Sequence, residues 1–462
     1  MNWNTEAKKY EAQFKKDLKE LVAIPSLRDE STAKENAPFG DQCRKALDKM
    51  MEIGREAGFT VKDIDGYACT IEYGEGEESV GILAHLDIVP IGEDWTHDPL
   101  GCEEVDGIMY GRGTLDDKGP AVAGLTAMRM LKDNNVKLNK KIMLICGCDE
   151  ESGMQCMDYY CKHAEVPTMS FTPDAEFPVI YGEKGLLQIA LKGHAETPIL
   201  SMHCGERPNV VIGKASALVK DFREEYVDLF DFYLRSNNLQ GSVEYTEAGC
   251  VLKIDGVFAH ASLPWRGTNA ALHLINFIGT THENEFLTNT YRMLSDWRGS
   301  GVSIAKEGAY MGFLTANVGI VDLENDEFNI VIDMRYPNDT DSETIIKGYQ
   351  ETFKSYDYPA EIVVRSDSKP LFLDPNSEMI QKLMAVYREY SGDTFTPAMT
   401  MGGGTYARKL PNCVAFGPEY PIARHQSEHV IGGPHQADEG IVIDDMLCAV
   451  AIYAGALEKL GQ

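Results

Sequence analysis

Three consecutive carboxylates end an apolar run about a third of the way along this chain. Residues 141–152 read Lys-Ile-Met-Leu-Ile-Cys-Gly-Cys-Asp-Glu-Glu-Ser, and Ile142–Ile145 is apolar on both faces. A run this short predicts a buried parallel strand, with the acids at its carboxyl end. Acids side by side in a partly dry cleft disfavour each other's charged form unless a cation compensates them. One glutamate could then bind a metal ion while its neighbour transfers protons. A solvated acidic turn is the alternative for this segment alone.

Other predicted strand ends and adjoining turns carry side chains that bind metals. His85 follows a buried strand, Asp116 lies in a glycine-rich turn, and Asp174 follows another short strand. Because the carboxyl ends of parallel strands meet at one edge of a sheet, these side chains should converge with Glu151. Imidazole and carboxylate donors suit zinc or manganese, and one carboxylate can bridge two ions about 3.5–4 Å apart. The sequence therefore predicts a metal centre at this edge.

Composition limits the class of protein. A chain of 462 residues predicts two or three domains, and a net charge of −29 would repel nucleic acid and anionic membranes. No apolar run approaches the length of a membrane span, and the N-terminus lacks the pattern of a signal peptide. The 11 cysteines are scattered and odd in number, which argues against a disulfide framework. Cys146 and Cys148 could bind metal, but buried side chains in a strand are the favoured interpretation. We expect a cytoplasmic protein.

The pattern of predicted elements changes twice along the chain. Continuous apolar strands dominate to residue 184, alternating strands then indicate an antiparallel α+β region, and the first pattern resumes after Pro370. Asp444 is the predicted N-cap of a last helix. We predict an α/β fold in which residues 1–184 and 371–462 form a mostly parallel-sheet catalytic domain. Residues 185–370 would form an inserted α+β lid.

The ordered motifs resemble the co-catalytic dinuclear-zinc amidohydrolases, which include aminoacylases, carboxypeptidases and dipeptidases. The likeness covers essentially the whole chain and is greatest to the peptidase V-type, carnosinase-like dipeptidases. The motifs that carry it are His85-Leu-Asp87, residues 110–119, Asp149-Glu-Glu151, Pro173-Asp174, residues 402–408 and His435-Gln-Ala-Asp-Glu439.

The resemblance implies two divalent metal ions per chain, zinc first, with manganese or cobalt as alternatives. It implies that Asp116 bridges both ions. His85 and Asp174 would complete one site, and Glu151 and His435 the other. Taken alone, His435 would be an ordinary loop histidine.

The resemblance also implies catalytic roles. Glu150 would be the general base that takes a proton from a metal-bridging water and passes it to the leaving amine. Asp87 would orient His85, and His260 matches a lid histidine that donates to the tetrahedral oxyanion. These roles meet the needs of amide hydrolysis, which are an activated water, an acid for the amine and a donor for the oxyanion.

A free substrate carboxylate would be bound by residues of the lid and of a glycine-rich loop. These are Arg335, Asn209, Gly403, Gly404 and Thr405. Arg335 suits a bidentate carboxylate contact, although a structural salt bridge to Asp333 is the alternative. The loop could also be a phosphate cradle, but no Gly-Lys-Ser/Thr follows it. The sequence departs from the family at Ala261, where glycine is usual, and at Asp438, where asparagine is usual.

We therefore predict a metal-dependent dipeptidase that hydrolyses short peptides with a free C-terminal carboxylate. The nearest alternative is an N-acyl-amino-acid deacylase or related amidohydrolase, and an alternative of another class is a non-catalytic metal-binding scaffold. Glu150 argues against the scaffold, because a binding-only site has no need of a second glutamate beside the ligand. The lid runs from Gly185 to Pro370, about 186 residues, where one compact α+β layer needs about 100. Such a lid could hold two subdomains, as in peptidase V-type enzymes, so we expect a monomer.

Overall fold

The computed structural model describes residues 1–425 and 429–462. The chain forms two compact units. The first combines Met1–Gly182, Leu373–Met399 and Gly404–Gln462, and the second combines Glu183–Phe372 with Thr400–Gly403. None of the helices in the described ranges combines the length and apolar character that a membrane span requires.

Both units contain helices and strands. The α-helices are α1 (Trp3–Ala7), α2 (Glu11–Val22), α3 (Asp41–Glu56), α4 (Lys118–Asp133), α5 (Gln155–His163), α6 (Glu225–Ser236), α7 (Ala270–Thr281), α8 (Glu285–Leu294), α9 (Ser342–Tyr356), α10 (Glu378–Ser391) and α11 (Ile443–Gly461). The strands up to the first unit boundary are β1 (Thr60–Ile64), β2 (Ala68–Tyr73), β3 (Ser79–His85), β4 (Glu103–Val105), β5 (Ile108–Tyr110), β6 (Lys141–Gly147), β7 (Met169–Thr172), β8 (Ala175–Glu176) and β9 (Ile180–Glu183). The remaining strands are β10 (Gly185–His194), β11 (Ile199–Cys204), β12 (Lys214–Val219), β13 (Gln240–Thr246), β14 (Gly249–Asp255), β15 (Glu307–Gly308), β16 (Gly312–Phe313), β17 (Thr315–Glu324), β18 (Glu327–Tyr336), β19 (Ala360–Ser368), β20 (Leu371–Phe372), β21 (Met399–Met401), β22 (Cys413–Ala415), β23 (Pro418–Glu419) and β24 (Gly440–Val442).

The main sheet of the first unit has a parallel centre. Its order is β1-β2-β6-β3-β7-β22-β9, and β6, β3, β7 and β22 run parallel to one another. β3 is buried along its whole length, as expected for a strand covered on both faces. His85 at the end of β3 pairs with Gly147 at the end of β6. The segments that follow these two strands therefore leave the sheet at the same edge.

Helices α4 and α11 pack against each other and against this sheet. Both are small-residue or apolar along most of their length, and most of their side chains are buried. The predicted N-cap of the last helix is wrong. Val442 is the N-cap, and Asp444 lies in the first turn, where a carboxylate is stabilised by the helix dipole.

The second unit contains an antiparallel sheet in the order β13-β14-β12-β11-β17-β18-β10-β19. Apolar side chains from its strands and from α6 to α9 form one hydrophobic core. Buried and more exposed residues alternate along β12, as expected for a sheet with one face covered. The predicted combination of an α/β fold with a parallel-containing sheet and an antiparallel α+β region is thus confirmed.

Candidate metal centre

His85 lies at the carboxyl end of β3 and is buried. Its Nε2 lies 2.9 Å from Oδ1 of Asp116, and its Nδ1 lies 3.0 Å from the main-chain oxygen of Asp87. The Asp87 carboxylate is farther from this ring, at 3.4 Å. The tautomer with a proton on Nδ1 donates to the Asp87 carbonyl, which leaves Nε2 to face Asp116 as a donor atom for a cation.

Asp116 connects two histidines. Its Oδ2 lies 3.1 Å from Nε2 of His435, whereas its Oδ1 contacts His85. The same His435 nitrogen lies 3.0 Å from Oε1 of Glu151. His435 projects from a loop, with its side chain half-exposed and a positive φ of 64°. One carboxylate therefore faces an imidazole on each side.

Two groups of donor atoms result, and they share Asp116. His85, Asp116 and Asp174 form one group, and Asp116, Glu151 and His435 form the other. Within each group the donor atoms lie within 4.8 Å of one another. The structure thus brings together the side chains that the sequence predicted as metal ligands.

The electrostatics of this cluster favour a bound cation. Burial, and then the charge of Asp116, raise the pKa of Asp174 well above its usual range. Burial would also raise the pKa of Asp116, but hydrogen bonds with His435 and His85 lower it. Hydrogen bonds to Asp116 and Glu151 raise the pKa of His435 to about 10. These shifts reflect carboxylates crowded together, whose charges divalent ions would compensate.

The donor set fits divalent metal ions of borderline hardness. Both groups contain one imidazole and two carboxylates, and among the residues that the structure describes neither group includes a thiol. Cys148, which the sequence left as an alternative donor, is buried and donates to the main-chain oxygen of Cys43. Nitrogen and carboxylate donors suit zinc, manganese or cobalt, and a shared carboxylate suits a pair of ions.

Asp87 holds the turn that carries the two glutamates. Its Oδ1 accepts the main-chain N–H of Glu150, and its Oδ2 accepts that of Glu151, both at 3.2 Å. The sequence predicted that Asp87 orients His85. In the structure its main-chain oxygen contacts the histidine, and its carboxylate fixes the glutamate turn.

Glu150 lies beside these ligands and is partly buried. Burial, followed by the negative charges of Glu151 and Asp87, raises the pKa of Glu150 to about 8, against the opposing effect of His85. Such a carboxylate exchanges protons near neutral pH, as a general base or acid must. The geometry is compatible with the predicted proton-transfer role, which stays a prediction.

Two ion pairs near these ligands, one partly buried and one buried, were missed by the sequence interpretation. Arg28 donates through Nη1 to Oδ1 of Asp149 at 2.7 Å, and Arg112 donates to Glu439 at 2.6 Å. Glu439 belongs to a recognised motif, but the motif gave it no role. An arginine distant in sequence gives no periodic signal that would connect it with its carboxylate.

In the second unit, His260 lies on a loop that bridges to Val210. Its Nδ1 accepts the main-chain N–H of Ser262 at 3.2 Å, and it lies 2.6 Å from the Ser262 hydroxyl. An acceptor at Nδ1 places the proton of the neutral ring on Nε2. His260 is exposed, but partial desolvation of its ring, and then Arg335, lower its pKa and favour the neutral ring. Ala261, one of the departures from the family pattern, donates its main-chain N–H to Asn209 and so joins this loop to the second predicted lid residue.

Arg335 is buried and engaged within its own unit. Its Nε donates to Oδ1 of Asp333 at 2.6 Å, and its Nη1 donates to the main-chain oxygen of Gly402 at 2.7 Å. The structure therefore contains the salt bridge that was the alternative interpretation. A guanidinium has five N–H donors, so these bonds do not exclude a further carboxylate. The substrate-binding role stays a prediction.

The glycine-rich loop is tightly packed. A side chain at Gly402 would collide with Ser262, and one at Gly404 would collide with the Arg408 guanidinium. Thr405 is buried and accepts the main-chain N–H of Ala407 at the start of a short 3₁₀ helix. Close packing against Ser262 explains Gly402, and the substrate-binding role of Gly403, Gly404 and Thr405 stays a prediction.

Comparison with known proteins gives consistent results. Residues 81–459 match the sequence pattern of Peptidase family M20/M25/M40. The chain is 35% identical over 476 residues to the Bacillus subtilis protein named "Putative dipeptidase YtjP", with 100% of both chains covered. It is 36% identical over 475 residues to the Staphylococcus aureus protein named "Putative dipeptidase SAUSA300_1697", with 99% of both covered.

Solved structures show the same fold at low sequence identity. The yeast di-peptidase Dug1p from Saccharomyces cerevisiae matches with a TM-score of 0.57 and 14% identity, covering 100% of this chain and 98% of Dug1p. Human carnosine dipeptidase 1 matches with a TM-score of 0.56 and 14% identity over the same shares. Aminoacylhistidine dipeptidase from Vibrio alginolyticus gives 0.55 and 15%, covering 97% of this chain and 96% of that one.

Proposed function

The chain belongs to Peptidase family M20/M25/M40, and from this premise we propose that it is a dipeptidase that uses two divalent metal ions. Its substrates would be short peptides with a free C-terminal carboxylate. The observation that supports this proposal best is the pair of donor groups that share Asp116, with the partly buried Glu150 beside them. The names of the relatives point to the same class of substrate.

We assign the ligands as the sequence predicted them. Asp116 would hold both ions, with His85 and Asp174 on one side and Glu151 and His435 on the other. When bound, the ions would supply the positive charge that activates water and stabilises the oxyanion at neutral pH, and zinc is the first choice. Asp87 would orient His85 and fix the turn that carries Glu150 and Glu151.

Glu150 would carry the protons of the reaction. It accepts one from the attacking water and donates it to the amine nitrogen as the peptide bond breaks, because an amide anion is too poor a leaving group to depart unprotonated. Its position next to the ligand Glu151 and its hydrogen-bonded main chain support this role.

The second unit would bind the substrate and complete the stabilisation of the oxyanion. The neutral His260, with Nδ1 occupied by Ser262, would donate from Nε2. Arg335 would bind the terminal carboxylate, together with Asn209 and the main chain of Gly403–Thr405. The catalytic domain would comprise residues 1–184 and 371–462, and the lid residues 185–370.

We further propose that the enzyme acts as a monomer in the cytoplasm. The 11 cysteines lack the spacing of a disulfide framework, and most of them are buried. This usage suits a reducing compartment, where disulfides do not persist.

The test is a panel of dipeptides, tripeptides and N-acyl amino acids, assayed with the metal-reconstituted enzyme. We expect dipeptides to be hydrolysed with the highest kcat/KM, and amidated dipeptides to be poor substrates because they lack the carboxylate. Preference for N-acyl amino acids would identify a deacylase instead. Metal binding without hydrolysis of any substrate would favour a non-catalytic scaffold.

A further inference from the structure

Glu439 is the last residue of the recognised His435 motif, and its carboxylate is completely buried. Its Oε1 accepts three main-chain N–H groups, those of Gly113 at 3.0 Å, Leu115 at 2.9 Å and Asp116 at 3.1 Å. Three converging donors on one carboxylate oxygen fix the turn that presents the Asp116 side chain. Asp116 is the residue common to both donor groups.

The main chain of Glu439 belongs to the loop that carries His435. Its carbonyl oxygen accepts the N–H of Gly111 at 2.8 Å, and β24, which begins at the next residue, pairs with β5. Gly432, at the other end of the loop, pairs with Glu439 in an isolated bridge. The two loops with metal-binding side chains thus flank one pair of strands, and Glu439 connects them through both its main chain and its side chain.

Arg112 balances the charge of this carboxylate. Its Nη1 donates to Oε2 of Glu439 at 2.6 Å, its Nη2 donates to the main-chain oxygen of Ile91 at 3.2 Å, and its guanidinium lies 5.2 Å from the Trp95 ring. Both partners of the pair are almost wholly buried. A buried charge pair costs desolvation energy, and a hydrophobic pair of similar volume often stabilises a fold as well. Stability alone therefore gives little reason for this arrangement.

We propose that Glu439, paired with Arg112, is a positioning residue of the metal centre. It fixes the main chain of Asp116 relative to the loop that carries His435. The Asp116 carboxylate can then lie close to His85 and Asp174 on one side of the centre and to Glu151 and His435 on the other. This inference rests on the proposed function only for the assignment of Asp116 and His435 as ligands. Loss of Glu439 should lower the affinity for both ions, since both depend on Asp116.

The test compares E439A with a matched control, D17A. Asp17 is also a buried carboxylate of the first unit, and it pairs with Arg129 between α2 and α4, away from the donor groups. Zn²⁺ affinity is measured by competition with a chelating dye, and Tm is measured for each full-length variant in chelator and in saturating Zn²⁺. Removal of an outer partner of a metal ligand typically costs 10–100-fold in affinity. We expect about that loss in E439A and parent affinity in D17A, although both lower the Tm in chelator.

Two further variants keep the test decisive if E439A does not fold. E439Q retains an oxygen for the three N–H groups but turns an amide towards Arg112, and R112M removes the cation. We expect weaker Zn²⁺ binding in both. Parent Zn²⁺ affinity in E439A, or in both E439Q and R112M, would overturn the proposal and leave Glu439 a structural residue. A parent enzyme that binds two ions but cleaves no peptide would refute the proposed function without affecting this comparison.

Discussion

Adjacent glutamates occupy different environments in this site. Glu151 contributes to a donor group with His435, whereas Glu150 belongs to neither donor group in the described part of the chain. Glu150 is instead partly buried, and desolvation raises its pKa to about 8. Neighbouring residues on one turn can differ in this way because their side chains leave the main chain in different directions. In the proposed mechanism, a metal ligand and a proton carrier are thus one position apart.

Replacing each glutamate by glutamine should separate the two roles. Glu150→Gln should lower kcat by about 10²–10⁴-fold, because a glutamine cannot accept the proton of water. Its metal content should stay at the parent value. Glu151→Gln should lose metal as well as activity. Activity and metal content, the latter by elemental analysis, are measured on the same preparations, and equal metal loss in both variants would contradict this division of roles.

The residues at strand ends were predictable for a geometric reason. Parallel strands bring their carboxyl ends to one edge, so His85, Asp116, Glu151 and Asp174 had to lie near one another once the sheet was recognised. His435 could not be derived in this way. It lies far along the chain, on a loop with a positive φ, and only its place in an ordered motif pointed to it.

At the scale of an element, the turn after β6 is braced from two sides. Asp149 accepts the N–H of Gln155 and the Arg28 guanidinium with its carboxylate, and the N–H groups of Gly153 and Met154 with its main-chain oxygen. The Asp87 carboxylate accepts the next two N–H groups, those of Glu150 and Glu151. The first acid of the Asp-Glu-Glu run is therefore a structural residue of the turn.

Removal of Arg28 should weaken this turn and the metal centre together. In Arg28→Met the buried Asp149 carboxylate loses its cation, which should cost about 1–3 kcal/mol of unfolding free energy. The matched control is Arg44→Met. The Arg44 side chain is 22% exposed, as is that of Arg28, but it pairs with Asp48 and Asp63, which are more exposed than Asp149. That variant should cost at most about 1 kcal/mol.

Urea unfolding in chelator measures both free energies, and Zn²⁺ titration measures affinity. We expect weaker Zn²⁺ binding in Arg28→Met alone. Equal unfolding free energies and equal affinities in the two variants would show that the Arg28 contact contributes no more than a surface pair.

Elements were predictable where one physical signal dominated. Buried strands such as β3 and β6 are predictable from continuous apolar sequence. The strands that pair with them in the sheet are not predictable in this way. β2 pairs antiparallel to β6, and partly polar strands give no signal of the partner or direction they take. The start of α11 shows the same limit. Asp444 and Asp445 both lie in its first turn, and the sequence alone does not tell that the helix begins one residue before them, after Val442.

For the whole molecule, the number of metal ions bound per chain tests whether Asp116 is shared by two ions. A strong chelator should inactivate the enzyme reversibly, and Zn²⁺, Mn²⁺ or Co²⁺ should restore activity with about two ions per chain. The reason is that two donor groups of three residues exceed what one open catalytic ion needs. Titration of the chelated protein with each ion, followed by activity, gives the stoichiometry. Full activity at one ion per chain would contradict the two-ion assignment.

The second unit builds its broad sheet from a single chain. The strands β13, β14, β12 and β11 form one half, β17, β18, β10 and β19 form the other, and β11 pairs with β17 across the middle. In smaller relatives the resemblance implies a short lid that pairs with a second copy, which lends its histidine to the neighbour. A lid that already contains both halves has no need of that partner.

We therefore expect an active monomer, measured by light scattering at the concentration used for assays. A second measurement uses Glu150→Gln and His260→Ala chains, each inactive alone, mixed under conditions that allow subunit exchange. If each chain supplies its own histidine, the mixture stays inactive, because no active site receives both intact residues. Recovered activity would show that His260 is supplied by a second copy, and dimers in light scattering would then explain why the edge of β13 is left exposed.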